Sequence, residues 1–224
     1  MISLQYEAPD ARLEPFVSSF YLFTYSGNAL SELERADRAQ FRFTLYGNGR
    51  YRFSSGRVDE ICPVTIIGPT TAACTALADE PIGIFGWGMT PTGWVALMGS
   101  GASEWVDRTL DCRQIFGDSI MDLRTRLIEA KEPAEQFHIG QTAATEIFRR
   151  AAKSPFEFTS IVDAWLLNDD NPDIEQLVAD TGLSQRQLER MTKRYYGMPP
   201  KKLARKYRAV RAAHLLAKGD SLDD

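Results

Sequence analysis

Near Thr90 the period of the apolar pattern changes, so one regular element type cannot account for the whole chain. Upstream, Phe41, Phe43 and Leu45 alternate with Arg42, Thr44 and Tyr46, the period of two of a half-buried strand. Gly47-Asn48-Gly49 follows, and Tyr51 and Phe53 then alternate with Arg50 and Arg52. Two alternating runs around residues that accept positive φ predict a hairpin. Phe16 to Tyr25, Val64 to Gly68 and Ile82 to Met89 read as further strands. About five short strands with Gly and Pro between them suggest a small barrel or sandwich.

Downstream the period becomes helical. Pro91-Thr92-Gly93 leads into a short helix with Trp94, Val95, Leu97 and Met98. From Ser119, Ile120, Leu123, Leu127 and Ile128 share one face; after Pro133, so do Phe137, Ala144, Ile147 and Phe148. This predicts two helices joined near Glu132-Pro133, the second ended by Pro155. A third carries Ile161, Val162, Trp165 and Leu166 and stops at the breaker cluster Asn168-Asp169-Asp170-Asn171-Pro172. The two helices of 119–152 present Leu123, Leu127, Ile147 and Phe148 as a candidate homodimer face; the alternative is that they cover each other and the barrel.

Several chemistries are poorly supplied. The 224 residues hold three cysteines, Cys62, Cys74 and Cys112, and two histidines, His138 and His214. Three distant cysteines suit free thiols in a reducing cytoplasm. No zinc-type His/Cys spacing, phosphate loop, GxSxG or HExxH occurs. No nucleophile–base pair can be named, so no catalytic residue, metal or cofactor is assigned and an enzyme is not expected. The N-terminal barrel, if of the cupin type, lacks the histidines that would hold a metal, since residues 1–130 contain none. No run of 18 apolar residues predicts a membrane span, and the N-terminus lacks a secretory pattern, which together predict a cytoplasmic protein. The aromatics Phe20, Tyr21, Phe23, Phe41, Phe43, Tyr51, Phe53, Phe85 and Trp87 read first as core. An effector pocket among them would be apolar, with polar groups such as Arg42, Thr44 or Arg52; no effector-binding residue is assigned.

The segment from Asp173 carries the most chemistry. Asp173 can cap a helix from Ile174, because its carboxylate accepts from free N–H groups and suits the positive helix end. Gly182 allows a tight turn between two helices, Ser184 can cap the second, and Gly197 and Pro199 end it. Leu177, Leu183, Leu188 and Met191 supply the apolar contacts of a helix-turn-helix. Gln185, Arg186, Glu189, Arg190, Lys193 and Arg194 then face outward, long polar side chains of the kind that reach base edges and phosphates. Such helix pairs also occur in proteins with no DNA role.

Charge distribution bears on that choice. The chain carries 26 Lys+Arg and 30 Asp+Glu, net -4, with a pI near 5.4. That average conceals a basic module: residues 172–218 hold eleven Lys/Arg against four Asp/Glu, net +7, whereas residues 1–171 are net -8. A basic helical segment on an acidic body is the electrostatic footprint of a nucleic-acid module.

Gly182-Leu183-Ser184-Gln185-Arg186-Gln187-Leu188-Glu189-Arg190, followed by Tyr196-Gly197-Met198-Pro199-Pro200-Lys201-Lys202-Leu203, resembles the first helix-turn-helix of AraC/XylS-type transcription regulators. Leu13-Glu14-Pro15-Phe16-Val17, Ile67-Gly68-Pro69 and Gly88-Met89-Thr90-Pro91-Thr92-Gly93-Trp94 resemble the N-terminal domain of some members. The resemblance implies an α+β chain. A cupin-like β-barrel or sandwich with a helical hairpin would sense an effector or mediate dimerisation over residues 1–152, with strands about 16–90 and helices about 92–152. An all-α helix-turn-helix subdomain with a long linker helix would follow over 155–224. The implied partner is double-stranded DNA, with a candidate small-molecule effector and a candidate homodimer, and no membrane. The implied base-contacting residues are Arg186, Glu189 and Arg190, with Gln185 beside them. Ser184, Gln187, Lys193, Arg194, Lys201 and Lys202 fall to phosphate contacts, and Gly182 to the turn.

Two departures stand out. Val178 occupies a position where many such units carry a small residue, which would widen the helix crossing. The family continues into a second helix-turn-helix, whereas this chain ends at Asp224 with at most one helical turn beginning at Ser221-Leu222-Asp223-Asp224, so a truncated second unit is expected. The reading from another class is a ligand- or partner-binding module whose basic helices dock an acidic protein surface.

Overall fold

The computed structural model describes residues 1–99, 101–149, 156–168 and 171–218. Its first half is built from β1 (Ile2–Glu7), β2 (Val17–Tyr25), β3 (Leu30–Glu34), β4 (Gln40–Tyr46), β5 (Arg50–Arg52), β6 (Val58–Glu60), β7 (Val64–Ile67), β8 (Cys74–Ala78), β9 (Ile82–Met89) and β10 (Thr109–Asp111). They form two antiparallel sheets, ordered β1-β2-β9-β4-β7-β10 and β3-β8-β5-β6. The expected strands around 16–25, 41–46, 64–68 and 82–89 are present. Strands also lie outside 16–90: β1, for example, pairs with β2 along its length, yet exposes Ile2, Leu4 and Tyr6 and so shows no alternation of burial.

The expected hairpin through Gly47-Asn48-Gly49 does not form. β4 is flanked by β9 on one side and β7 on the other, which leaves it no free edge for β5. β5 instead pairs with β6 and β8, so residues 47–49 carry the chain from one sheet to the other. A tight connection limits where the next strand can start, and competition for edges decides which strand it joins.

The alternation on β4 separates two environments. Phe41 and Phe43 lie under helices with Phe20, Phe85 and Trp87, all fully buried. Phe41 stacks on Trp87 with ring centroids 4.4 Å apart, and Phe85 meets Phe137 edge-on at 5.7 Å. Arg42 points the other way, into the space between the sheets. The covering helices are α1 (Pro91–Met98), α2 (Arg113–Phe116), α3 (Ser119–Glu129) and α4 (Pro133–Arg149). Thr90 caps α1, its hydroxyl accepting from the Gly93 N–H at 2.9 Å, with Pro91 in the first turn, where a missing N–H costs nothing. Leu127 and Phe148 are buried in this core. They are therefore unavailable as a homodimer face, a correction that follows from α3 and α4 packing their apolar sides onto the sheet.

The second core joins α5 (Phe156–Asn168), α6 (Ile174–Thr181), α7 (Gln185–Tyr196) and α8 (Pro200–Lys218). Val162, Leu166, Leu177, Leu188, Tyr196 and Leu203 fill it, and Val178 packs at its margin. Val95 of α1 touches both cores, which joins the two halves. The helix stop at Pro155, part of the breaker at 168–172, the division between residues 152 and 155, and Ser221 to Asp224 lie outside the described residues. Among the described residues no helix is long and apolar enough to cross a membrane.

Candidate nucleic-acid interface and ligand cavity

Local chemistry fixes the ends of α6 and α7. The Asp173 carboxylate accepts from the Glu175 N–H at 3.1 Å. Gly182 has φ 62°, a left-handed conformation that glycine adopts without the Cβ penalty, and its N–H caps Ala179. At the start of α7 the Ser184 hydroxyl accepts from the Gln187 N–H, while the Gln187 side-chain oxygen accepts from the Ser184 N–H at 3.0 Å. This capping box satisfies two otherwise free donors. It also engages Ser184 and Gln187, two residues assigned to phosphate contacts, inside the cap. α7 ends at Gly197, with φ 80°; a Cβ there would stand 2.7 Å from a Val106 methyl.

One face of α7 is buried through Leu188, Thr192, Tyr195 and Tyr196. Gln185, Arg186, Glu189, Arg190, Lys193 and Arg194 are exposed, as are Lys201 and Lys202 at the start of α8. Gln185, Glu189, Lys193 and Lys201 come together around a depression that Ile174, Pro199 and Pro200 also line. Arg186 and Arg190, one helical turn apart, form the adjacent stripe. At the other end of α7, the Arg194 backbone lies against Gly101, beside the 3-10 turn Ala102–Glu104. Arg186, Arg190, Lys193 and Lys201 thus share with Glu189 a solvated surface suited to a polyanion with hydrogen-bonding edges.

α8 is held to the β-domain by contacts that sequence reading missed, because they join residues far apart in the chain. Lys206 Nζ donates to the Asp37 carbonyl at 2.6 Å, and Arg38 Nε donates to the Tyr207 hydroxyl at 3.2 Å. Arg38 also faces Asp163 at 4.0 Å, and the Tyr196 hydroxyl donates to that carboxylate at 2.9 Å. Burial, only partly countered by Asp37, holds the Lys206 amine down to about 8. Burial also raises the Asp163 carboxyl, against the pull of Arg38. For Arg38 burial acts downward, but the Tyr207 hydroxyl and Asp163 outweigh it and keep the guanidinium charged.

Between the sheets lies a cavity of about 570 Å³. Its centre is Arg42, whose guanidinium meets both oxygens of Glu34 at 3.2 Å, donates to Tyr21 at 2.6 Å and also reaches the Tyr51 hydroxyl. Burial pushes the Tyr21 phenol up to about 12 despite Arg42, and raises Tyr51 in the same way. Both phenols therefore keep their protons at neutral pH. Gln40, 8% exposed, donates its amide to Asp37 at 3.2 Å; its buried side-chain oxygen has no hydrogen-bond partner among the described residues. Of the polar groups expected near an effector, Arg42 lines the cavity. Thr44 is buried elsewhere, donating to the Cys62 carbonyl, and Arg52 is exposed. Among the aromatics, Tyr21, Phe23 and Tyr51 line the cavity, whereas Phe20, Phe41, Phe43, Phe85 and Trp87 are core. Among the described residues no group of three or more His, Cys, Asp or Glu could hold a metal ion.

No family model matches the chain, and no curated protein matches it in sequence. Solved structures do. The likeness to unsaturated fatty acid-bound ToxT from Vibrio cholerae covers 90% of this chain and 82% of that one, at 9% identity and a TM-score of 0.50. Apo ToxT K231A from the same organism matches at 10% identity over 90% of this chain and 84% of that one, TM-score 0.49. The AraC-like transcriptional activator CuxR matches at 14% identity over 95% and 87%, TM-score 0.36. At such identities the first of these speaks for fold alone, and the chain shares the fold of ToxT.

Proposed function

We propose that the protein is a sequence-specific DNA-binding transcription regulator whose cavity receives a small effector. The observation that carries this reading is α7: capped at both ends, buried on one side, and presenting Arg186, Arg190, Lys193 and Arg194 to solvent on a segment of net charge +7. In this reading α7 enters the major groove. Arg186 and Arg190 read guanine O6/N7, Glu189 accepts from cytosine N4, and Gln185 contributes beside them. Lys193, Arg194, Lys201 and Lys202 meet phosphates, which set register without reading sequence. Ser184 and Gln187 reach the backbone only by way of the cap they build. The protein works in the cytoplasm and catalyses no reaction.

The effector arm rests on position. The segment 34–40 lines the cavity on one side, and its Asp37 and Arg38 hold α8 on the other. A ligand that moves this segment changes how the basic helices sit, which couples occupancy to DNA affinity. The unsaturated fatty acid bound by ToxT shows that a protein of this fold can hold a small molecule with a long apolar chain and a carboxyl head; the polar end of a ligand for this chain is a separate question of its own lining.

Selection from a random duplex library with the whole protein, followed by gel shifts of the selected sequence at two salt concentrations, tests the proposal. The expected result is a retarded band that weakens steeply with salt, since displaced counterions drive phosphate binding. Absence of binding at low salt rejects the regulator. Binding that survives replacement of Arg186 and Arg190 together by alanine rejects the base-reading assignment. Competition by an acidic protein but not by duplex DNA would favour the protein-docking reading.

A further inference from the structure

The chemistry of the cavity restricts what can occupy it, and the argument rests on the effector reading above. Arg42, the most deeply placed cation there, is already matched by both oxygens of Glu34. Across the lining as a whole, three arginines stand against three carboxylates. A carboxylate or phosphate entering would lose its hydration and find this inner cation neutralised. The hydrogen-bonding capacity left over is of another kind. Tyr21 and Tyr51 accept from Arg42 through their oxygens, and each keeps a hydroxyl proton with no acceptor among the described residues. Around them Phe23, Leu30, Ile82 and Ile84 are apolar.

We propose that the cavity takes an uncharged, largely apolar molecule carrying a hydroxyl or carbonyl oxygen, which accepts from Tyr21 and Tyr51, and that the Glu34–Arg42 pair excludes anions. Burial of both phenols keeps the two donors protonated through the neutral range. A hydroxyl and a carbonyl oxygen both fit, since each can accept from the two phenols.

Three probes on one skeleton separate the possibilities in calorimetric titrations of the whole chain: 2-naphthol, 2-methylnaphthalene and 2-naphthoate. The expected order is 2-naphthol tightest, 2-methylnaphthalene roughly tenfold weaker, the size of one hydrogen bond in a dry site, and 2-naphthoate weakest. Tyr51→Phe should narrow the gap between the first two. Glu34→Gln keeps the shape of the side chain, frees the Arg42 charge, and should strengthen 2-naphthoate by roughly tenfold or more. Equal or tighter binding of 2-naphthoate by the unaltered protein overturns the ligand class, and so does 2-methylnaphthalene binding as tightly as 2-naphthol. Ala78→Phe fills the cavity and should abolish binding of all probes. If the unaltered protein binds none of them, or Ala78→Phe binds them unchanged, the cavity fails as the ligand site, whereas a DNA shift in the same preparation would leave the DNA arm standing.

Discussion

Arg38 and Tyr207, separated by 169 residues, meet at 3.2 Å through the Arg38 Nε–H and the Tyr207 hydroxyl. One residue follows the cavity-lining β3, and the other sits on the helix that leads away from α7. Through this contact, and the neighbouring bond from Lys206 to the Asp37 carbonyl, the β-domain holds the basic helices in one position. Removing a partner tests that directly. Tyr207→Phe should cost about 1 kcal/mol of stability in chemical denaturation, the net worth of one hydrogen bond. Arg38→Ala should cost more, because it also leaves the partly buried Asp163 without its cation. Hydrogen exchange should show protection lost in α8 while the β4–β9 ladder keeps its own.

Gly182 and Gly197 both have positive φ, but only one is crowded. A Cβ at Gly182 meets open space, whereas at Gly197 it stands 2.7 Å from Val106 in the other half of the molecule. Gly182→Ala should cost about 1–2 kcal/mol, the strain of a left-handed alanine. Gly197→Ala should cost that and more, and Gly197→Ala with Val106→Ala should recover the difference. Urea midpoints of the four proteins check the ordering.

The thiols should differ in reactivity and in their effect on pH stability. Cys74 and Cys112 are buried and Cys62 is partly exposed, so a disulfide reagent should modify Cys62 first and the other two only on unfolding. Burial, aided by Glu34, raises the Cys74 thiol from 9.0 to about 11. A raised acid stays protonated in the fold after the unfolded chain has ionised, so its contribution is intact below pH 9 and is lost as the pH rises toward 11. Over that range the protein should lose stability relative to Cys74→Ala, as followed by thermal denaturation at several pH values.

On a selected duplex, Arg186→Ala should cost about 1–3 kcal/mol and relax one base position. Lys202→Ala should weaken all sequences alike and lower the salt slope by about 1. Anisotropy titrations over a range of salt separate the two patterns.

Much of the helical half was legible in the sequence because its determinants are local. Asp173, Gly182, Ser184 and Gly197 act on backbone groups within four residues, so the ends of α6 and α7 fall where those residues predict. The exposed stripe of Arg186 and Arg190 follows from the same periodicity. The β-half was legible only as strands. The alternation of Phe41 and Arg42 correctly separates two faces, but nothing local says that the arginine side is an enclosed cavity; that depends on Glu34, Tyr21 and Tyr51 arriving from three other strands.

By itself, then, the sequence determined where helices start and stop, which side of α7 is polar, and that a basic module follows an acidic body. Only the tertiary structure decided that β4 and β5 belong to different sheets, that Leu127 and Phe148 are core, that Arg42 is matched inside a cavity, and that Arg38 holds α8. The physical reason is range. Caps and periodicity act within a turn or two of chain, whereas strand partners, cavities and domain contacts are chosen by competition among surfaces that meet only once the whole chain has folded.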